Sequence, residues 1–84
     1  MPIKSQEDLF KQLTTFNGFT RISDRLVAYK DSRDVIAVSI IADEVTIMSE
    51  VNVSPTASTA AKKTLRITDT FSWDNLFQEI VALF

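Results

Sequence analysis

Apolar residues recur every three or four positions near the start of the chain, which is the period of a helix with one buried face. This stripe consists of Leu9, Phe10, Leu13 and Phe16. Ser5 precedes it as a residue that can cap a helix N-terminus, and Asn17-Gly18 follows as a pair suited to a left-handed C-terminal cap. The pattern therefore predicts a helix from about Gln6 to Phe16.

The end of the chain repeats this arrangement. Ser72 can cap a second helix, Asp74 places negative charge in its first turn, and Phe71 can pack on Leu76 across the cap. The apolar face of this helix comprises Trp73, Leu76, Phe77, Ile80 and Phe84. Because Trp73 lies on that face, we interpret it as a core residue with its indole N–H near solvent.

Between the helices the period changes to two and β-branched residues dominate, which is typical of strands. Four strands are predicted: Arg25–Lys30, Val35–Ile41, Glu44–Val53 and Lys63–Thr68. Residues Phe19–Ile22 can add an extended lead-in to the first strand. Residues 54–61 are small and polar, so we expect a mobile loop there. Lys62 and Lys63 follow it, so this loop is either a plain hairpin connection or a contact for phosphate or an acidic partner.

Short connections make neighbouring strands antiparallel, so the expected sheet is a four-stranded meander. The chain has 84 residues, the size of a single domain. The predicted fold is thus α+β: an N-terminal helix, a four-stranded antiparallel meander sheet and a C-terminal helix, with both helices on one face. The other face would be partly exposed to water, as antiparallel sheets tolerate.

The dipeptide Ala42-Asp43 predicts a two-residue hairpin turn. The resulting register pairs Ile40 with Val45, Val38 with Ile47 and Ala37 with Met48. The second strand is then apolar on both sides. Its residues on the side away from the helices, together with their neighbour on the third strand, are Val35, Ala37, Ser39, Ile41 and Met48.

An apolar patch of this kind favours a protein interface, most simply that of a two-fold homodimer. The candidate interface residues are Val35, Ala37, Ser39, Ile41, Met48 and Arg66. Two alternatives explain the patch without a partner. The side chain of Arg25, Lys30 or Arg66 can lie over it, or one helix can cross to this face.

The composition removes most catalytic chemistry, because the chain has no histidine, no cysteine and one glycine. An unassisted acid–base group near neutral pH, a thiolate nucleophile, the usual zinc ligands and a glycine-rich phosphate loop are all missing. The carboxylates show no spacing of a catalytic pair or a calcium loop. We therefore expect no enzyme and assign no catalytic, cofactor-binding or metal-binding residue.

The charge gives no strong attraction to nucleic acid or membranes, because 9 basic residues meet 11 acidic ones and the net charge is −2. Basic and acidic residues match in number in the sheet region, which favours a solvated surface with cross-strand ion pairs such as Glu50 with Arg66. Tyr29 is the one strand aromatic that can lie on an open face. No apolar run has the length of a signal core or membrane span, so we expect a cytoplasmic protein.

These observations favour a non-catalytic protein–protein interaction module of the adaptor or inhibitor type, self-associating through the open sheet face. Its partner would be another protein or a second copy, without a cofactor. The alternative is a module that binds a small apolar ligand between helices and sheet, in a space lined by Phe10, Phe16, Phe77 and Trp73. A nucleic-acid-binding domain is a further, less favoured alternative.

Overall fold

The two predicted helices are present in the computed structural model, which describes residues 3–54 and 57–83. Helix α1 spans Gln6–Phe16 and helix α2 spans Trp73–Val81. The Ser5 hydroxyl accepts a hydrogen bond from the Asp8 N–H at 3.2 Å. The Ser72 hydroxyl accepts one from the Asn75 N–H, also at 3.2 Å. Both predicted N-caps are confirmed.

Between the helices lies one five-stranded sheet in the order β1-β2-β3-β4-β5, each strand antiparallel to its neighbour. The strands are β1 Thr20–Ser23, β2 Leu26–Lys30, β3 Asp34–Ile41, β4 Glu44–Ser54 and β5 Ala57–Arg66. The predicted α+β meander is confirmed, with one strand more than the predicted four.

The additional strand is β1, in the region expected to be only a lead-in. All four of its residues are exposed, so it lacks the alternation of buried and exposed positions that marks a strand in a sequence. A register shift between Arg21 and Ser23 interrupts its pairing with β2. Pairing with β2, and not burial, therefore makes this segment a strand.

The predicted loop at residues 54–61 is wrong for most of its length. Strand β5 begins at Ala57, so the final strand starts well before the predicted Lys63 and ends at Arg66 instead of Thr68. Residues 55 and 56 lie outside the described residues. The error has a physical cause: Ala60 and Ala61 carry no strand signal of their own, yet they pair with Glu50 and Ser49 of the long strand β4.

Both helices pack on the same face of the sheet, as predicted, because their buried side chains form one core with alternate residues of β2, β3 and β4. The helical members are Leu9, Phe10, Leu13, Leu76 and Ile80. The strand members are Val27, Ile36, Val38, Ile40, Val45 and Ile47. Trp73 is half-buried against this core, with its ring edge-on to Phe71 at 5.0 Å between centroids.

Phe16 departs from the prediction, since its side chain is 73% exposed. The chain turns at Gly18, whose φ of +78° suits glycine, and places Phe19 in the core instead. The Phe19 N–H donates to the Leu13 carbonyl at 3.1 Å, which holds this turn against the end of α1. Phe16 and Phe10 therefore do not line one interior space, so Phe16 is wrong as a predicted lining residue.

Candidate interaction surface

The face of the sheet opposite the helices is the candidate functional site, and we call it the open face. Alternation along each strand and the strand register place on it Leu26, Ala28 and Lys30 of β2; Val35, Ala37, Ser39 and Ile41 of β3; Glu44, Thr46, Met48 and Glu50 of β4; and Ala60, Lys62, Thr64 and Arg66 of β5. In the described part of the chain, both helices lie on the other side.

The register of β3 against β4 is the one predicted, with Ile40 opposite Val45, Val38 opposite Ile47 and Ala37 opposite Met48. The two-residue turn is also confirmed, since Ile41 and Glu44 pair directly and Ala42 between them has a φ of +55°. The structure places every candidate interface residue, Val35, Ala37, Ser39, Ile41, Met48 and Arg66, on the open face.

The centre of the open face carries mainly apolar side chains, and those at the middle of β3 are small. Ile41 is 59% exposed and Met48 43% exposed, while Val35, Ala37 and Ser39 are half-buried by their strand neighbours. Ile41 and Met48 therefore stay exposed to solvent in the single chain. Because the middle of β3 carries only an alanine and a serine, a second sheet could approach it closely.

Charged side chains surround this centre. Lys30 lies at one end of β2, Glu44 and Glu50 lie on β4, and Lys62 and Arg66 lie on β5. The predicted ion pair between Glu50 and Arg66 is wrong, because Glu50 is opposite Ala60 and Arg66 is opposite Glu44. Instead, the Arg66 Nε lies 3.7 Å from an Asp43 carboxylate oxygen in the adjacent turn.

A shallow depression of about 440 Å³ lies on the open face, beside residues 48–50 of β4 and 60–62 of β5. The open-face residues that line it are Val35, Ala37, Met48, Glu50, Ala60 and Lys62. Sequence reasoning missed Ala60 and Lys62, because their place on this face depends on the register of β5. It also left out Leu26 and Ala28, although Val27 and Tyr29 on the core face imply them by alternation.

A second concavity, of about 330 Å³, lies on the helix side between the end of α2 and the same hairpin. Ile47, Ala61, Ala82 and Leu83 supply apolar lining. An ion pair of 2.6 Å between Lys63 and Glu79 ties β5 to α2 beside it. This pair is exposed on both sides, so it contributes little to stability.

The perturbed titratable groups lie away from the centre of the open face. Hydrogen bonds from the backbone N–H groups of Asp34 and Arg33, and from the Tyr29 hydroxyl, lower the pKa of Asp31 in the β2–β3 turn. The same bond, which Tyr29 donates to Asp31, raises the pKa of Tyr29. Two hydrogen bonds and the charge of Arg21 lower the pKa of Glu7. The hydrogen bonds to Asp31 hold the β2–β3 turn, and those between Arg21 and Glu7 hold β1 against α1.

Tyr29 is not a base-stacking platform on the open face. Its ring packs against the core and against Phe19, with 5.8 Å between centroids. The one aromatic residue that sequence reasoning considered for nucleic-acid stacking is thus turned towards the helices.

Within residues 3–54 and 57–83, no group of three carboxylates is placed to hold a metal ion. Among the described helices, none is both long enough and apolar enough to cross a membrane. Comparison of the chain with models of known protein families, with curated proteins and with solved structures gives no match.

Proposed function

We propose that this protein is a non-catalytic protein–protein interaction module that forms a homodimer by packing its open face on that of a second copy. The observation that carries this proposal is the exposure of Ile41 and Met48 beside an apolar strand that no described element covers. A central strand with apolar residues on both sides gains stability when its second side is also removed from water. An adaptor or inhibitor role would use the surfaces that remain exposed in the dimer.

The size of the open face fits a dimer contact. Four strands about 4.8 Å apart, followed over a strand of eight residues at about 3.3 Å each, present roughly 500 Å². Two such faces together bury roughly 1,000 Å², which is the lower limit for a specific interface. The area supports a dimer that dissociates on dilution and not an obligate one.

The charge of the open face also permits contact between identical copies. Its three basic residues, Lys30, Lys62 and Arg66, are set among two acidic ones, Glu44 and Glu50. Since neither sign dominates, two copies do not repel each other as a whole. An exclusively basic or acidic face would instead indicate a partner of opposite charge.

The test is the solution mass of two variants, Ile41→Lys and Val35→Glu. Each places a charge among the apolar residues of the proposed contact, where dimer formation would remove it from water and set it against the same charge on the second copy. We expect light scattering to give the mass of two chains for the unchanged protein and that of one chain, 9.5 kDa, for both variants at the same concentration.

Phe16→Lys is the matched control, because it replaces an even more exposed apolar residue on the helix side of the molecule. It should leave the dimer mass unchanged. The proposal fails if the unchanged protein is monomeric over the whole accessible range of concentration, or if Ile41→Lys and Val35→Glu remain dimeric while keeping the native circular dichroism spectrum.

A further inference from the structure

We propose that the two copies pack around a two-fold axis that runs along β3, so that Lys30 of each copy lies against the partner's Glu50. This inference rests on the proposed homodimer and specifies its geometry. Strand β3 is the middle strand of the five. A half-turn about an axis along β3 places β2 of one copy over β4 of the partner, and β1 over β5. It leaves the position of each residue along the strand direction, which we call its level, unchanged.

The pairing of Lys30 with Glu50 follows from the register. Val35 of β3 is opposite Lys30 on one side and Glu50 on the other. The two charges are therefore at the same level, each one strand away from the axis. The half-turn brings Lys30 over Glu50 of the partner subunit, and symmetry forms the same pair a second time.

At two further levels on this axis, the β2–β4 contacts match large side chains with small ones. At the level of Ala37, the half-turn places Ala28 over the partner's Met48. At the level of Ser39, the half-turn places Leu26 over the partner's Thr46. Ser39 itself lies on the axis and contacts the partner's Ser39. No two like charges meet among these pairs, and two aligned sheets can interdigitate in this way.

The depression beside Glu50 can hold the side chain of the partner's Lys30. Met48, Glu50, Ala60 and Lys62 line it. A lysine stem from the partner can lie across the methyl group of Ala60 and the side chain of Met48 while its ammonium group contacts the Glu50 carboxylate. The partner's Lys30 is the basic side chain that the half-turn directs to this region.

Three other two-fold axes bring like charges together or bury charges on apolar residues. An axis along β4 places Glu50 against its own copy and Glu44 against its own copy. An axis across the strands at the level of Val38 and Ile47 places Glu44 against the partner's Glu50. An axis between β3 and β4 places Val35 on Glu50 and Ile41 on Glu44. Repulsion between like charges and burial of unpaired charges make these arrangements unfavourable, so the axis along β3 is favoured.

Charge reversal tests this geometry through heterodimers. Lys30→Glu places two carboxylates together at each contact, and Glu50→Lys places two ammonium groups together. At low ionic strength we expect each variant alone to have a dissociation constant raised about 10-fold. An equimolar mixture of the two should form a heterodimer with nearly the affinity of the unchanged protein, because both reversed contacts are then attractive. Sedimentation velocity measures both.

The double variant K30E/E50K extends the test. It should form a homodimer nearly as stable as the original, since each exchanged pair keeps opposite charges. It should pair with the unchanged protein about 10-fold more weakly, as each single variant does with itself, because both contacts would then be repulsive. Lys62→Glu mixed with Glu44→Lys is the matched control, with the same reversals on the same face, and this mixture should show no rescue.

The two proposals fail in distinguishable ways. If Ile41→Lys dissociates the dimer but the mixture of Lys30→Glu and Glu50→Lys is no tighter than either variant alone, the axis along β3 is wrong and the open-face dimer stands. If the control mixture is rescued as well, the effect is general charge neutralisation and the specific pair is wrong. If the unchanged protein is monomeric throughout, both proposals are overturned.

Discussion

Replacing Phe10 by alanine should lower the free energy of unfolding by about 3–5 kcal/mol, the range for removing a fully buried aromatic side chain. The Phe10 ring is completely buried in the core between α1 and the sheet. The Arg21 guanidinium also lies over it, 5.4 Å from the ring centroid. A domain of this size has a total stability of about 4–13 kcal/mol, so the loss is a large fraction of it.

Phe16→Ala is the matched control, being the same substitution in the same helix at a side chain that is 73% exposed. Its effect should stay within about 0.5 kcal/mol. Urea unfolding of both variants at one protein concentration measures the difference, since dimer formation makes stability depend on concentration. Equal losses for Phe10→Ala and Phe16→Ala would contradict the described core.

The second large effect is expected for Ala37→Glu. In the proposed dimer, position 37 lies on the two-fold axis and contacts position 37 of the partner. The variant therefore places two carboxylates against each other in a site from which water is excluded. We expect the dissociation constant to rise at least about 100-fold, equivalent to about 3 kcal/mol. The monomer should still fold, because in a single chain this side chain faces solvent on the open side of β3.

Thr15→Glu adds the same charge at an exposed position of α1 and should leave the dissociation constant unchanged. Sedimentation equilibrium on both variants, together with circular dichroism to verify folding, measures the effect. If Ala37→Glu folds and dimerises as tightly as Thr15→Glu, the contact does not include the middle of β3.

Much of the fold could be predicted because several local signals agree. At Ser5 and Ser72 a capping side chain, an acidic first turn and a helical apolar period all indicate the same element, and both helices begin where expected. In β4, strict alternation, together with the short turn that joins it to β3, defines the register to the residue. Agreement among independent local preferences makes such elements readable from one sequence.

The strands that were missed or shortened are those whose formation depends on a neighbour. The first half of β5 consists of small residues that become a strand because β4 offers a long row of backbone hydrogen-bonding groups. Strand β1 is fully exposed and held by β2 alone. Propensity and periodicity describe a segment by itself, so they give no signal where pairing decides the structure.

The same distinction applies to the candidate site. Its apolar centre at Val35, Ala37 and Ile41 follows from the pattern of one strand. Its charged surroundings do not, because the level of Lys30 relative to Glu50 depends on two strand registers together. The geometry of the proposed contact could therefore be argued only from the complete sheet.

The most direct test of the open-face dimer is an isotope-filtered nuclear Overhauser measurement on a mixture of methyl-labelled and unlabelled chains. Contacts between copies should appear at the methyl groups of Val35, Ala37, Ile41 and Met48. Contacts confined to methyl groups on the helix side, such as those of Ala82 and Leu83, or the absence of any contact between copies at high concentration, would contradict the proposal that the open face binds a second copy.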